Sequence, residues 1–290
     1  MKAQKLMAAL LSAAAILTLT CCSSDDDPDP DPDPKHPDTV FQTTGGDYLR
    51  LRSINGVPFQ YGENNVFSGV AMVVALDYER GKILYSGLDE SVDPNIAWDT
   101  EGRVSKIWLD VDYCDQNGAH KGEGDIKFFY SDGRIDHARA EFQGCEKHPD
   151  ARESDFTGVE ELRFTWDGGR LEKVVLHLSE MVNDIPWEET TTYTYQSGDK
   201  LRVVQPTIAF ASCFNALFHD MEYLALGGIF GLPPEYEILK IDQETVERKG
   251  DLTNRQTHTY SAQYDYFPNG TIDLETFGGR QFYYGYEYSK

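Results

Sequence analysis

The residues of this chain best equipped for chemistry are its 5 Cys, its 7 His and its 49 Asp plus Glu, and their spacing decides what each can do. Cys21 and Cys22 stand together at the end of an apolar run, where a thiol is a target for covalent modification. Cys114, Cys145 and Cys213 lie far apart in the rest of the chain. Cys114 ends one predicted strand and Cys145 ends the strand two further on, in the same direction, so both belong to one end of a sheet. An exported chain permits disulfides. A Cys114–Cys145 bridge is therefore a candidate, with two buried thiols as the alternative. Cys213 falls among Phe210, Phe214 and Leu217 and reads as a small core residue.

Metal and hydrolase chemistry find little support. The histidines are scattered, and neither Cys-x-x-Cys nor His-Glu-x-x-His occurs, so no metal site is expected. Asp110, Asp112, Asp115 and Asn117 before Gly118 resemble a calcium loop on the surface, but no glutamate closes it and the spacing is not that of an EF-hand. They read as a solvated acidic loop. No Gly-x-Ser-x-Gly elbow and no phosphate-cradling glycine loop is present. Glu188 and Glu189 after Trp187 have the residue types of a glycosidase pair, yet among 49 acidic residues adjacency proves nothing, and that chemistry needs a defined separation. The expectation is a protein that is not an enzyme and uses no cofactor.

Binding is the better reading. Aromatic rings stack on the apolar faces of sugars, and the chain holds 4 Trp, 17 Tyr and 15 Phe, dense in Phe282-Tyr283-Tyr284-Gly285-Tyr286-Glu287-Tyr288. Most of these should fill a core or pair across strands. A ligand- or glycan-binding module is expected, with a structural or accessory surface protein as the alternative. A net charge of −23 argues against nucleic acid and anionic membrane as partners, since both need a field of opposite sign.

The elements that position these residues begin with a leader. Lys2 and Lys5 precede an apolar run from Leu6 to Leu19, too short to span a bilayer but suited to an export signal over residues 1–21. Leu19-Thr20-Cys21-Cys22 resembles the lipobox of bacterial lipoproteins, which makes Cys22 the lipidated residue and Cys21 the alternative acceptor. Contact with the membrane is then through that lipid only. Residues 22–38 continue as Ser23-Ser24-Asp25-Asp26-Asp27 and Pro-Asp repeats, where proline blocks pairing and like charges repel, so an extended acidic tether is expected. Aspartates just after such a cysteine resemble the surface-export signal of lipoproteins in gut-dwelling Gram-negative bacteria. That implies an outer-membrane lipoprotein with its domain facing outward, the periplasm-facing arrangement being the alternative. Residues 1–38 hold three Lys and seven Asp, so −19 of the −23 stays with residues 39–290, read as one β-rich domain.

A turn flanked by short β-rich runs repeats along that domain. Trp98-Asp99-Thr100-Glu101-Gly102-Arg103, Tyr130-Ser131-Asp132-Gly133-Arg134 and Trp166-Asp167-Gly168-Gly169-Arg170 share a layout, with looser copies at 77–83, 193–201 and 264–272. Each predicts a β-hairpin in which an Asp-Gly-type pair turns with positive φ. The Arg or Lys after the glycine reads as a solvated turn residue. Ile107, Leu109, Val111 and Tyr113 share one face of a strand while Lys106, Asp110 and Asp112 share the other, with Trp108 breaking the polar face. Strict alternation over 134–142 gives mixed faces: Asp136, Ala138, Ala140 and Phe142 on one, Ile135, His137, Arg139 and Glu141 on the other. Twelve to fourteen strands are expected, including a hairpin around Ile54-Asn55-Gly56. Over about 207–226, Phe210, Phe214, Leu217, Phe218, Met221 and Leu224 fall at helical spacing and predict one amphipathic helix plugging the core.

These hairpins, the single apolar insertion, Gly231-Leu232-Pro233-Pro234-Glu235-Tyr236-Glu237-Ile238 and the Tyr-rich Gln263-Tyr264-Asp265-Tyr266 together resemble the lipoprotein family of unknown function numbered 4595, described as porin-like. The resemblance implies an all-β antiparallel meander forming a barrel or strongly curved sheet, and no assigned activity. A membrane porin fits poorly, because its outward positions must be apolar throughout. The expectation is a soluble barrel held by lipid.

Overall fold

The computed structural model describes residues 40–288 except 43–45, 63–65, 86–94, 116–117, 148–153, 183–184 and 218–220, with backbone alone at 40–42, 85, 109–115, 118–122, 145–147, 154–156, 182, 185 and 216. The leader, the tether, Cys21 and Cys22 lie outside the described residues.

Short strands come first: β1 (Val40–Gln42), β2 (Tyr48–Ile54), β3 (Val57–Tyr61), β4 (Phe67–Val70), β5 (Val74–Asp77), β6 (Lys82–Tyr85) and β7 (Asn95–Trp98). A run of long strands follows: β8 (Val104–Asp115), β9 (Gly118–Ser131), β10 (Arg134–Lys147), β11 (Ser154–Asp167), β12 (Arg170–Val182), β13 (Ile185–Lys200), β14 (Tyr236–Lys249) and β15 (Leu252–Tyr266). Two shorter ones, β16 (Ile272–Phe277) and β17 (Arg280–Tyr288), complete the series. Each strand pairs antiparallel with the next, and β17 returns to pair with β2, Tyr284 opposite Ile54 and Tyr288 opposite Leu49. Strands β2 to β17 thus close a 16-stranded antiparallel barrel, more strands than the hairpin repeats predicted. The all-β barrel expected from the sequence is what the chain forms. β1 pairs with the start of β2, where the shorter β3 does not reach.

Because the repeat recurs every two strands, all six copies lie at the same end of the barrel, here the turn end; five turn as hairpins, while the copy at 193–201, contrary to its sequence reading, continues β13 to Lys200 without a positive φ at Gly198. Asp132 (φ 51) and Gly133 (φ 76) adopt the double positive φ of a type I′ turn, which matches the twist of the flanking strands. Register slips recur beside these turns, between Ala97 and Trp98, Ile135 and His137, and Thr165 and Trp166. The slip on β10 corrects the mixed faces that strict alternation gave. A bulge adds one residue, so Ile135 joins buried Ala138, Ala140 and Phe142, while Asp136, His137, Arg139 and Glu141 lie on the other face. Apolar residues therefore point inward and Lys127, Arg139, Glu141, Arg163 and Lys173 outward, the reverse of what hydrocarbon requires.

Contrary to their sequence reading, Arg103, Arg134 and Arg170 of the repeat pack on aromatic rings and are partly buried, whereas Lys200 is exposed as read; Arg202 makes the same ring contact while remaining exposed. Arg103 lies over the ring of Tyr130 at 4.3 Å, Arg134 over Trp166 at 5.5 Å, Arg170 over Tyr236 at 3.6 Å and Arg202 over Tyr266 at 5.1 Å. Each aromatic belongs to the next hairpin. The side chains of Arg103 and Arg134 are only 14% and 12% exposed. The rings answer with hydrogen bonds: the Tyr130 hydroxyl donates to the Val104 carbonyl at 2.7 Å and the Trp166 indole N–H to the Ile135 carbonyl at 2.8 Å. A cation over a ring with its own polar tip satisfied is favourable in a half-buried setting.

Between β13 and β14 the chain enters the barrel at the turn end. The insert is helical, but it is not one helix. α1 (Ile208–Ala211) passes into a 3-10 segment, Ser212–Ala216, and a second helix, α2 (Met221–Leu226), follows. The Ser212 hydroxyl and Cys213 thiol donate to carbonyls three residues back, at 3.2 Å each, which favours the tighter winding. Asn215 then accepts from the Glu222 N–H at 3.1 Å and so starts α2 afresh. Phe214 and Phe230 stack at 4.8 Å, Phe164 of the wall stands 5.6 Å from Phe214, and Ile208, Phe210, Leu217, Met221, Leu224 and Ile229 are buried. The insert is a plug, as its apolar spacing predicted. It is stitched to the turns: Leu232 N–H to Gly133 O, Glu235 N–H to Gly169 O, both 2.8 Å, and Arg134 to Glu235 at 2.7 Å.

Candidate functional site

Opposite the core-facing rows, the long wall presents polar residues in register across β8 to β13. Trp108 stands opposite Asp125, Asp125 opposite Glu141, Glu141 opposite Val159, Val159 opposite Ser179 and Ser179 opposite Glu188. A second row holds Glu123, Gln143, Thr157, Met181 and Pro186. Together with Lys106 and the edges of Gly124, Phe142, Gly158 and Glu180 they line a groove of about 770 Å³. On the core side of the same wall, Phe142 stands opposite Gly124 and Gly158. Phe142 lies across Gly158, where a Cβ would stand 2.3 Å from the ring, so only glycine fits there.

The charges of the groove are mostly engaged. Lys106 Nζ bonds Asp125 Oδ2 at 2.9 Å and lies 5.3 Å from the Trp108 ring centre. Gln143 donates to Glu123, Arg139 holds Glu141 at 2.9 Å, and Arg248 approaches Glu188 at 4.0 Å. Asp125 Oδ1 is buried and has no hydrogen-bond partner among the described residues. Buried acceptors are ordinarily satisfied. Here one lies beside a half-buried indole in the groove wall, its carboxylate fixed through the other oxygen.

The sequence candidates fall out as follows. Trp108 does break the polar face of β8, and it lines the groove. Glu188 and Glu189 are separated by strand alternation: Glu188 faces the groove, while Glu189 is buried on the core side. Trp187 is buried with its indole N–H donating to Glu247 at 3.0 Å. These residues form no facing carboxylate pair. Cys114 lies opposite Ala119 of β9 and Cys145 opposite Lys121, so the whole of β9 runs between them. Two strand spacings come to about 10 Å, beyond the roughly 7 Å between Cα atoms that a disulfide joins. Their side chains lie outside the described ones, as do those of Asp110, Asp112 and Asp115, while Asn117 is not described at all. Cys213 is a buried free thiol whose pKa burial pushes up to about 12. Among the described residues no group of three or more His, Cys, Asp or Glu is placed to hold a metal ion. No described helix is long and apolar enough to cross a membrane.

Sequence reasoning missed Asp125, Glu141 and Ser179. Each is one polar residue in an alternating strand, and only the register across six strands brings them together.

No family model and no curated protein matches the chain, so the resemblance to family 4595 stands on the motifs quoted for it. Among solved structures the chain is similar to a porin-like protein from Bacteroides vulgatus ATCC 8482, at 12% identity and a TM-score of 0.46 over 82% of this chain and 98% of that one. It is also similar to a porin-like protein from Bacteroides uniformis ATCC 8492, at 13% identity and a TM-score of 0.24 over 68% of this chain and 90% of that one.

Proposed function

We propose that this chain is a lipid-anchored surface protein whose barrel binds a neutral, extended glycan in the groove across β8–β13, and that it is not an enzyme. The observation that carries the reading is the pairing of Trp108 with Asp125 in the groove lining: an indole for the apolar face of a sugar beside a carboxylate held in place by Lys106. Glu123, Glu141 and Glu188 add further acceptors for hydroxyl groups and, with the −19 of residues 39–290, repel acidic polysaccharides. Support for the anchor comes from Cys22 and the acidic tether, which would hold the barrel in water beside a membrane. Its charged outer face suits that position.

The test is a binding screen of the full chain against neutral and acidic polysaccharides, repeated with Trp108→Ala and Asp125→Asn. Trp108→Ala should weaken binding of a neutral glycan about 10- to 30-fold, the effect of removing an aromatic anchor worth roughly 1.5–2 kcal/mol. No binding to any glycan, or binding that survives both substitutions, refutes the reading and leaves a structural role on the cell surface.

A further inference from the structure

The long wall reaches past the strands beside it, and this leaves one edge of β15 uncovered. β16 pairs with β15 only from Ala262 to Tyr266, and the Gly278 N–H extends the contact to the Ser261 carbonyl at 3.0 Å. Residues 252–259 pair with β14 alone among the described residues, and all are exposed, on both faces of the strand. Ser261 turns its carbonyl to the β16 side, and the β14–β15 register has no slip from Lys240–Ser261 to Lys249–Leu252. Residues of the same parity therefore turn their N–H and C=O groups outward: Thr253, Arg255, Thr257 and Thr259. Exposed edges are normally guarded by lysine, proline, inward charge or a bulge. The stretch Leu252-Thr253-Asn254-Arg255-Gln256-Thr257-His258-Thr259 has no lysine, proline or acid, in a chain with 49 Asp plus Glu.

We infer that this edge closes on a second copy of the chain, the two β15 strands running antiparallel about a two-fold axis at Gln256. Self-pairing in that register joins outward residues only to outward residues, Thr253 to Thr259 and Arg255 to Thr257 of the other copy, twice over. That makes four hydrogen-bonded pairs. No like charges stand directly opposite, and each Arg255 is already bound to Glu244 of its own β14 at 2.8 Å. Asn254 meets His258 and Gln256 meets itself, polar groups that can bond across the seam. This stretch is free of the acidity that would drive two copies apart elsewhere, and closed two-fold contacts are the commonest form of self-association. The negative charge of the rest of the domain opposes association over distance, so added salt strengthens the dimer.

Gln256→Cys tests the register in the full chain held in its membrane. At a non-hydrogen-bonded pair on the axis the two Cβ atoms stand about 4.5–5.5 Å apart, close to what a disulfide joins. A covalent dimer should appear on a non-reducing gel with Gln256→Cys. It should be missing with Asn254→Cys, because residue 254 lies about 14 Å along the strand from its mate. Thr257→Pro removes an outward N–H from each copy while sparing the ladder to β14. It should weaken the dimer about 30-fold through two lost backbone hydrogen bonds. A Gln256→Cys chain that remains monomeric while folded, or cross-linking equal at 254 and 256, overturns the inference and leaves the edge to a strand from another protein.

Discussion

Glu275 is the wall residue that holds the plug, and its replacement by glutamine is the sharpest test of how barrel and insert depend on each other. Glu275 is fully buried on β16; one oxygen accepts from Ala209 N–H at 2.8 Å, the other from Ile208 N–H at 2.8 Å and from the Tyr284 hydroxyl. Those two N–H groups open α1 and have no partner within it. Glutamine keeps one acceptor oxygen and turns an NH₂ toward a donor, so at least one charge-assisted bond is lost and one buried donor is stranded. At about 1–3 kcal/mol for each, offset in part by local relaxation, Glu275→Gln should cost about 2–4 kcal/mol. That is a fall in Tm of about 5–15 °C for a domain of this size. Burial raises the Glu275 pKa, with the Tyr284, Ala209 and Ile208 hydrogen bonds pulling the other way. A raised carboxylate gives stability that is complete below its unfolded value and declines as pH rises through the folded one. Glutamine does not titrate. The stability difference between the two proteins should therefore narrow as pH rises through that window. Thermal and urea unfolding across pH would measure both effects. A Glu275→Gln protein within about 0.5 kcal/mol of the parent at every pH would refute the claim that this carboxylate anchors the insert.

Phe214→Ala, which empties a fully buried ring site between Phe164, Phe210 and Phe230, should cost about 3–5 kcal/mol by urea unfolding. Arg134→Lys keeps the charge but loses the planar contact with Trp166 and the geometry toward Glu235, so melting should fall by the equivalent of about 1–2 kcal/mol. If lysine serves as well, the stacking contributes nothing. The Cys213 thiol, with its pKa pushed up to about 12 by burial, should resist a thiol reagent at pH 8 in the native protein and react fully in denaturant.

The hairpin turns were legible in the sequence because their signal is local: an aromatic, an Asp-Gly pair and an aliphatic residue fall within a few positions, and steric rules at positive φ do the rest. Ile135 shows where that reading stops. A bulge beside the turn shifts its parity, and no residue type in Tyr130–Arg139 marks the slip. The plug was readable from the apolar spacing of Phe210, Phe214 and Leu217, but its break was not, because Asn215 restarts the helix through a bond to Glu222 seven residues on. Arg134 was read as solvated for a related reason. Its aromatic partner, Trp166, belongs to the following hairpin and is 32 positions away. The groove was the least legible feature of all, since Trp108, Asp125 and Ser179 become neighbours only through strand pairing.

The arginine contacts at the turn end also bear on how such a barrel changes size. A hairpin such as β9–β10 carries both halves of the fastening: a ring that receives the arginine before it, and an arginine that reaches the ring after it. A duplicated copy inserted in the series would meet both neighbours with the right chemistry already in place. The circumference could then grow by two strands at a time without a new joint having to be invented, and the plug alone would need to adapt to the wider bore.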